Sequence, residues 1–230
     1  MKTWAGDFKA IFTATRRDKF NHFMRVLCRP VYDVSHRITV LGQHHAEREG
    51  GYLIAANHTS PFDVPGLMYA TPRLIDFVSV VEVMGVPGVG AFYKMFNTIT
   101  LDRGKVDAAA VRTIVSRLKS GRVVGMFPEG KITPEAESVL HGGAFRSGLG
   151  RIARLADVPV LPAVILDSGH SGRATAWLPF KRTTFCVAFG EPLWIRDDLE
   201  PREAQKELEE RWRLEVLLLA HKLESYRRRR

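Results

Sequence analysis

Residues 51–63 read GYLIAANHTSPFD, and the two halves of this segment predict two different elements. Its first half, GYLIAA, is a short apolar run that begins at a glycine, which is typical of a buried strand. Its second half predicts a helix start. Ser60 is a favourable N-cap, Pro61 suits the first helical position, and Asp63 can reach back as in a capping box. A buried strand followed at once by a helix indicates an α/β fold.

The rest of the chain alternates strand and helix signals. Apolar runs predict further strands in ITVL (38–41), LIDFVSVV (74–81), RVVGMF (122–127), VPVLPAVIL (158–166) and TTFCVAFG (183–190). Helices are predicted after Asp107, over residues 145–156, and near the C-terminal end, where one stripe holds Leu208, Trp212, Val216, Leu219 and Leu223. We therefore expect an α/β domain over residues 37–230, with a mostly parallel or mixed central sheet flanked by helices.

The composition is that of a globular protein, with 45% hydrophobic and 26% charged residues in a chain of 230. Its two cysteines, Cys28 and Cys186, are far apart and form no CxxC pattern, so neither a disulfide framework nor a structural zinc is indicated. The HHAERE segment (44–49) lacks a third clustered ligand. We expect a protein of a reducing compartment, without a metal or a cofactor.

The net charge of +9 is concentrated partly at the N-terminus, where residues 1–30 hold seven lysines and arginines against two aspartates. Apolar residues at helical spacing predict that residues 1–36 form an amphipathic helical segment with two short helices. The first helix would hold Trp4, Phe8, Ile11 and Phe12, and the second Phe20, Phe23, Met24, Leu27 and Val31. This segment could pack on the main domain or anchor the protein at a membrane surface. Binding to nucleic acid is a third reading, but no recognition motif supports it. We therefore expect no nucleic-acid partner.

No apolar run approaches the roughly 18 residues that a membrane-spanning helix needs. We therefore expect a cytoplasmic protein that associates peripherally with the cytoplasmic face of a membrane, with an anionic membrane surface as a partner.

His58 lies in the strand-to-helix turn, and Asp63 follows one helical turn later. Turns at the carboxyl ends of strands are where open α/β sheets place their chemistry. A carboxylate in hydrogen-bond reach of an imidazole would orient it as a general base. The alternative is that Asp63 only caps the helix and that His58 is a surface turn residue.

Two further loops carry candidate residues. GMFPEGKIT ends a predicted buried strand in a rigid turn and places Glu129 and Gly130 at the sheet edge. In NTITLDRGK, a short apolar strand precedes Arg103 and Lys105, which can supply fixed cations. Arginine suits phosphate because its planar fork binds two oxygens.

Four segments, NHTSPFD, TLDRGK, FPEG and VPVLPAVI, resemble in order and spacing the four motifs of the glycerolipid acyltransferases, of the lysophosphatidic acid acyltransferase type. The resemblance covers roughly residues 25–192. It implies that His58 is the base, that Asp63 orients it and that Arg103 binds phosphate. It also implies that Glu129 and Gly130 belong to the acceptor site, and that Pro162 shapes the pocket.

The segment after FPEG departs from the family pattern. Relatives commonly continue with threonine, arginine and serine, whereas Lys131, Ile132 and Thr133 follow here. Lys131 could replace the charge of the missing arginine but not its two-pronged geometry, so the acceptor head group stays open.

The resemblance implies phospholipid biosynthesis: transfer of a fatty acyl group from acyl-CoA or acyl carrier protein to the free hydroxyl of a lysophospholipid. The implied acceptor is 1-acylglycerol-3-phosphate, which would become phosphatidic acid. His58 would remove the hydroxyl proton as the oxygen attacks the thioester, without an acyl-enzyme. Two alternatives remain: a phospholipid:lysophospholipid transacylase, and a non-enzymatic lipid-surface binding module.

Overall fold

The computed structural model describes residues 15–81, 93, 95–102, 104, 107–172 and 182–229. Its strands are β1 (His36–Leu41), β2 (Tyr52–Ala56), β3 (Ile75–Val80), β4 (Ile99–Leu101), β5 (Val123–Met126), β6 (Val160–Leu166) and β7 (Thr183–Phe189). The helices that the structure describes are α1 (Arg16–Ser35), α2 (Asp63–Ala70), α3 (Ala108–Lys119), α4 (Leu149–Ala156) and α5 (Pro201–Arg228). The predicted strands are each confirmed to within a few residues.

One sheet contains the seven strands in the order β1-β7-β6-β2-β5-β3-β4. Neighbouring strands are parallel except β6 and β7, which are antiparallel. The sheet is therefore mixed, and the predicted α/β class is confirmed. Because β2 lies between the parallel strands β6 and β5, the carboxyl ends of these three strands meet at one edge of the sheet.

Helices cover both faces of the sheet, so each face has its own hydrophobic cluster. Successive side chains of β2 pack alternately into one cluster and the other. Leu53 and Ala55 pack in the cluster that contains side chains of α3, α4 and α5. Tyr52, Ile54 and Ala56 pack in the cluster that contains side chains of α2. All five residues of β2 are fully buried, which explains why this strand reads as a continuous apolar run.

Helix α1 differs from the prediction in length. It is one helix of 20 residues, because Thr15 and Asp18 form a capping box at its start and it runs directly into β1. The first predicted set of apolar residues, from Trp4 to Phe12, lies outside the described residues.

A cluster of two buried aspartates and two partly exposed arginines holds the start of α1 on the domain. Arg122 donates to Asp18 of α1 at 2.7 Å and to Asp76 of β3 at 2.6 Å. Arg117 of α3 pairs with the same Asp76 at 2.9 Å. Burial alone would raise the pKa of Asp18, but hydrogen bonds from Arg122 and Thr15 and the charge of Arg122 hold this pKa below its usual value.

Two predicted helix starts are wrong by two and four residues. Helix α2 begins at Asp63, not at Pro61, because residues 61 and 62 form a turn. Helix α4 begins at Leu149, not at Phe145. Gly148 has a φ of 136°, which is incompatible with a helix, so residues 145–148 form a loop instead.

Candidate active site

The site lies at the sheet edge where β2, β5 and β6 end. Asn57, the first residue after β2, is fully buried and bonds to β6 through both ends of its side-chain amide. Its Nδ2 donates to the Ile165 carbonyl at 2.9 Å, and its Oδ1 accepts from the Ile165 amide at 2.8 Å. This pair of bonds fixes the chain immediately before His58. Asn57 had no predicted role.

His58 and Asp63 are in direct contact, with Nδ1 of the imidazole 2.8 Å from Oδ2 of the carboxylate. The Asp63 side chain is fully buried, whereas 15% of the His58 side chain is exposed. Because a carboxylate can only accept, Nδ1 carries the proton in this contact and Nε2 is the basic nitrogen. The geometry is that of an oriented general base.

The same carboxylate oxygen also organises the turn. Oδ2 of Asp63 accepts from the backbone amides of Thr59 at 2.8 Å and Ser60 at 2.9 Å. The second bond is the reach-back half of the predicted capping box, whereas Oγ of Ser60 accepts from the Phe62 amide at 3.2 Å instead of bonding to Asp63. Asp63 therefore shapes the turn and orients the imidazole at the same time.

Phe127 holds the imidazole from one side. The two rings are stacked with centroids 4.0 Å apart and an angle of 12° between their planes. Phe127 in turn stacks on Phe77 of β3 at 6.1 Å. Phe127 begins the FPEG turn, so its place in a known motif was visible in the sequence, but its contact with His58 was not.

Glu129 binds the backbone of His58 from the neighbouring loop. Its Oε1 accepts from the His58 amide at 3.1 Å and from the Ser138 hydroxyl at 2.9 Å. Thr133 closes the contact by donating its amide to the His58 carbonyl at 2.8 Å. Oε2 of Glu129 is buried and has no hydrogen-bond partner among the described residues. Ser138 and Thr133 were both missed by the sequence reasoning.

The other predicted site residues have different outcomes. Gly130 follows Glu129 with a φ of 73°, which the turn requires. Lys131 lies on the same loop and is exposed. Arg103 and Lys105 lie outside the described residues. Pro162 is buried inside β6 opposite Ala55, so its observed place is in the sheet.

An apolar cavity of about 270 Å³ lies beside this site, between α1, α2 and β3. Pro61 and Phe62, from the turn between His58 and Asp63, form part of its wall. So does Phe77, which contacts the Phe127 ring that stacks on His58. Other residues that line it include Met24, Cys28, Tyr32, Val64, Met68 and Ile75. An apolar space of this kind can hold a hydrocarbon chain next to the imidazole.

Cys186, His44 and His45 do not line this cavity. Cys186 is buried in β7, and its burial raises the pKa of the thiol to about 11, which disfavours a thiolate. The rings of His44 and His45 contact each other at a tilt of 41° in a short helical turn. Within the described ranges, no group of three His, Cys, Asp or Glu side chains could hold a metal ion.

Curated proteins of one activity are similar to this chain. The 1-acyl-sn-glycerol-3-phosphate acyltransferase of Bacillus subtilis (strain 168) is 26% identical over 161 residues, which are 70% of this chain and 75% of that protein. The protein of the same name from Limnanthes alba is 28% identical over 156 residues, 65% of this chain and 50% of the relative. The human 1-acyl-sn-glycerol-3-phosphate acyltransferase alpha is 28% identical over 135 residues, 56% of this chain and 45% of the relative. The chain thus spans about half the length of the plant and human relatives.

A solved structure has the same fold. The 1-acyl-sn-glycerophosphate (LPA) acyltransferase PlsC from Thermotoga maritima superimposes with a TM-score of 0.65, at 23% sequence identity, over 94% of this chain and 89% of that one.

The Acyltransferase family model matches residues 37–166. This range is more than half of the chain, and it contains His58, Asp63 and the loop of Glu129. The protein is therefore an O-acyltransferase enzyme, and the chain belongs to the Acyltransferase family.

Proposed function

We propose that this enzyme transfers a fatty acyl group from an acyl thioester, either acyl-CoA or acyl carrier protein, to the free hydroxyl of a lysophospholipid. The proposed acceptor is 1-acylglycerol-3-phosphate, which becomes phosphatidic acid. The names of the relatives support this acceptor. The observation that carries the proposal is the contact of 2.8 Å between His58 and Asp63, next to an apolar cavity.

His58 acts as the general base in this proposal. Nε2 takes the proton of the acceptor hydroxyl while that oxygen attacks the thioester carbonyl. The carbon–sulfur bond then breaks, and the imidazolium returns the proton to the leaving thiolate. The buried carboxylate of Asp63 stabilises the imidazolium between these steps. A positioned base of this type typically contributes about 10²- to 10⁴-fold to the rate.

Glu129 and its loop form the acceptor site in this proposal, with Gly130 and Lys131 beside it and with Arg103 and Lys105 as further cations for the phosphate. Oε2 of Glu129 supports this assignment, because a buried carboxylate oxygen without a partner among the described residues can accept a hydrogen bond from the acceptor. The hydrogen bond that the His58 backbone amide donates to Oε1 of Glu129 connects this acceptor site to the base.

The apolar cavity is the proposed place for an acyl chain. Its walls come from α1 as well as from α2 and β3, so the N-terminal segment contributes to the substrate site in addition to any contact with a membrane. Phe77 links the cavity to the site through Phe127.

Residues 1–36 are the proposed membrane-association segment, and residues 37–230 the catalytic domain. The side of α1 that does not line the cavity exposes a stripe of large apolar side chains, Phe23, Val26, Leu27, Val31 and Val34, with exposed fractions from 43% to 59%. Of the helices in the described ranges, none has the apolar length that a membrane crossing requires. A stripe of this kind supports peripheral binding to a membrane surface, and the face that we propose is the cytoplasmic one.

The test is to incubate the purified protein with labelled lysophosphatidic acid and either acyl-CoA or an acyl carrier protein donor, and to measure phosphatidic acid. We expect product with at least one thioester donor and none from His58→Ala. Product formed from a phospholipid donor without any thioester would support the transacylase instead. Binding to lipid vesicles with no acyl transfer from any donor would support the lipid-surface binding module.

A further inference from the structure

We propose that Arg146 binds the phosphate of the acceptor and replaces the arginine that the family pattern expects at position 132. This inference rests on the proposed function, because it assigns the head-group contact within the same acceptor site. Ile132 occupies the expected position, carries no charge and is 47% exposed. An arginine contact to phosphate at this loop therefore has to come from another part of the chain.

Arg146 lies directly against Gly130, the residue after Glu129. A Cβ built on Gly130 would come within 2.8 Å of Nε and 2.9 Å of Cδ of the Arg146 side chain. Such distances are shorter than normal contacts, so a side chain at position 130 would force the arginine side chain to move away from its observed place. The absent side chain at Gly130 thus makes room for the guanidinium group.

The backbone of Arg146 is fixed to the same loop. Its amide donates to the carbonyl of Pro128 at 2.8 Å, which joins residue 146 to the FPEG turn. The residue before it, Phe145, packs edge-on against Trp212 with ring centroids 5.2 Å apart. Trp212 in turn donates to the Ala55 carbonyl of β2 at 3.0 Å. Because the backbone of this loop is anchored, the loop itself needs little ordering when the Arg146 side chain binds a ligand.

The buried carboxylate of Glu209 holds the other side of this loop. Its Oε1 accepts from the amides of Gly148 at 2.8 Å and Gly150 at 3.2 Å. This acid binds backbone amides and does not neutralise Arg146. Residues 145–150 are therefore positioned by contacts that leave the guanidinium charge in place.

The charge of Arg146 is available to a ligand. It forms no ion pair with any residue in the described ranges, whereas Arg117 and Arg122 are paired with buried aspartates. Arg146 is exposed, and its side chain lies against Gly130, the residue after Glu129, whose Oε1 contacts the backbone of His58. In 1-acylglycerol-3-phosphate the phosphate is only a few bonds from the reacting hydroxyl. A guanidinium group at Gly130 is thus well placed to bind phosphate through two hydrogen bonds.

The experiment compares Arg146→Ala with Arg151→Ala, which removes an equal charge from an exposed position of α4. The acceptors are lysophosphatidic acid and monoacylglycerol, presented in the same neutral detergent micelles. We expect Arg146→Ala to raise the KM for lysophosphatidic acid roughly 10-fold or more, because a charge-assisted fork is lost. The KM for acyl-CoA and the rate with monoacylglycerol should stay near those of the parent enzyme. Arg146→Lys should recover part of the loss, and Arg151→Ala should match the parent enzyme.

Binding measured without turnover separates this inference from the proposed function. Calorimetry with His58→Ala should show weaker binding of lysophosphatidic acid when Arg146→Ala is added, whether or not the parent enzyme transfers acyl groups. Equal affinity with and without Arg146→Ala would overturn the inference, as would an equal rise in the KM of acyl-CoA. A large acceptor effect of Lys131→Ala together with no effect of Arg146→Ala would assign the phosphate to Lys131 instead.

Discussion

His58 and Asp63 are joined by a hydrogen bond of 2.8 Å, and the aspartate oxygen in this bond also accepts two backbone amides of the turn between them. One buried oxygen thus sets both the path of the chain and the orientation of the imidazole. The two readings of Asp63 from the sequence, helix cap and partner of the base, are compatible because the turn brings both sets of donors to one atom.

The first prediction concerns His58. Replacing it with alanine should lower kcat about 10²- to 10⁴-fold, because the hydroxyl proton then has no positioned acceptor. Stability in denaturant should fall only modestly, because the bonds that His58 makes to Glu129 and Thr133 come from its backbone and Oδ2 of Asp63 keeps two backbone amide donors. Turnover close to that of the parent enzyme would contradict the proposed mechanism.

The second prediction concerns Asp63→Asn. An asparagine can still accept the amides of Thr59 and Ser60 through its carbonyl oxygen, so the turn should survive. It cannot supply a negative charge to the imidazolium, so kcat should fall well below that of the parent enzyme. Thermal unfolding monitored beside activity distinguishes the two roles. If activity and stability fell in parallel, Asp63 would be a structural residue only.

The third prediction concerns acid stability. The pKa of Asp18 is lowered in the folded protein, so around pH 4 the folded state binds fewer protons than the unfolded state, whose aspartates titrate near 3.9. The contribution of Asp18 to the free energy of unfolding should therefore be complete at neutral pH and be lost as the pH falls below about 4. Urea unfolding between pH 3 and pH 7 measures it.

Asp18→Asn should lower the free energy of unfolding at pH 7 by about 1.5–3 kcal/mol, since it weakens hydrogen bonds to a charged arginine. The same substitution should make the free energy of unfolding depend less on pH below about 5. The control is Asp197→Asn, a substitution at an exposed aspartate, which should leave both quantities near those of the parent protein. A parallel loss of acid stability in Asp197→Asn would mean that the effect comes from net charge and not from the Asp18–Arg122 pair.

Much of the fold could be predicted because its signals are local. The strands β2 and β6 are buried along their whole length, so each appears as an apolar run in the sequence. The start of α4 could not be predicted in this way. The loop before it is held by Glu209, about sixty residues further along the chain, and no local pattern reports such a contact.

In the candidate site, too, the residues that lie in local motifs could be predicted, and those defined by distant contacts could not. His58, Asp63 and Glu129 lie in short motifs, so the sequence indicated them, although their roles stay predictions. Asn57 was missed because its partner, Ile165, is separated by 108 positions. Arg146 was missed because its proposed role depends on its contact with Gly130, and only the folded chain brings these two residues together.

The fourth prediction concerns the exposed stripe of α1. Phe23 and Leu27 are 59% and 54% exposed, so their contacts contribute little to folding. If they enter the headgroup region, each contributes about 1.5–3 kcal/mol to membrane binding, so the double substitution to serine should weaken binding roughly 100-fold or more. Sedimentation with anionic vesicles measures this loss. Activity on a micellar acceptor should be kept, because the cavity-lining side of α1 is unchanged.

The matched control is the double substitution of Leu214 and Leu218, which are 54% and 64% exposed on α5, to serine. It removes a similar apolar area from a different helix, so vesicle binding should match that of the parent protein.

High salt should release the parent protein in part, because cations near an anionic surface contribute about 1 kcal/mol each. Duplex DNA tests the remaining alternative: salt-sensitive binding to DNA without binding to vesicles would favour a nucleic-acid partner for the basic N-terminal segment. Loss of vesicle binding only in the α5 variant would move the anchor to the C-terminal helix.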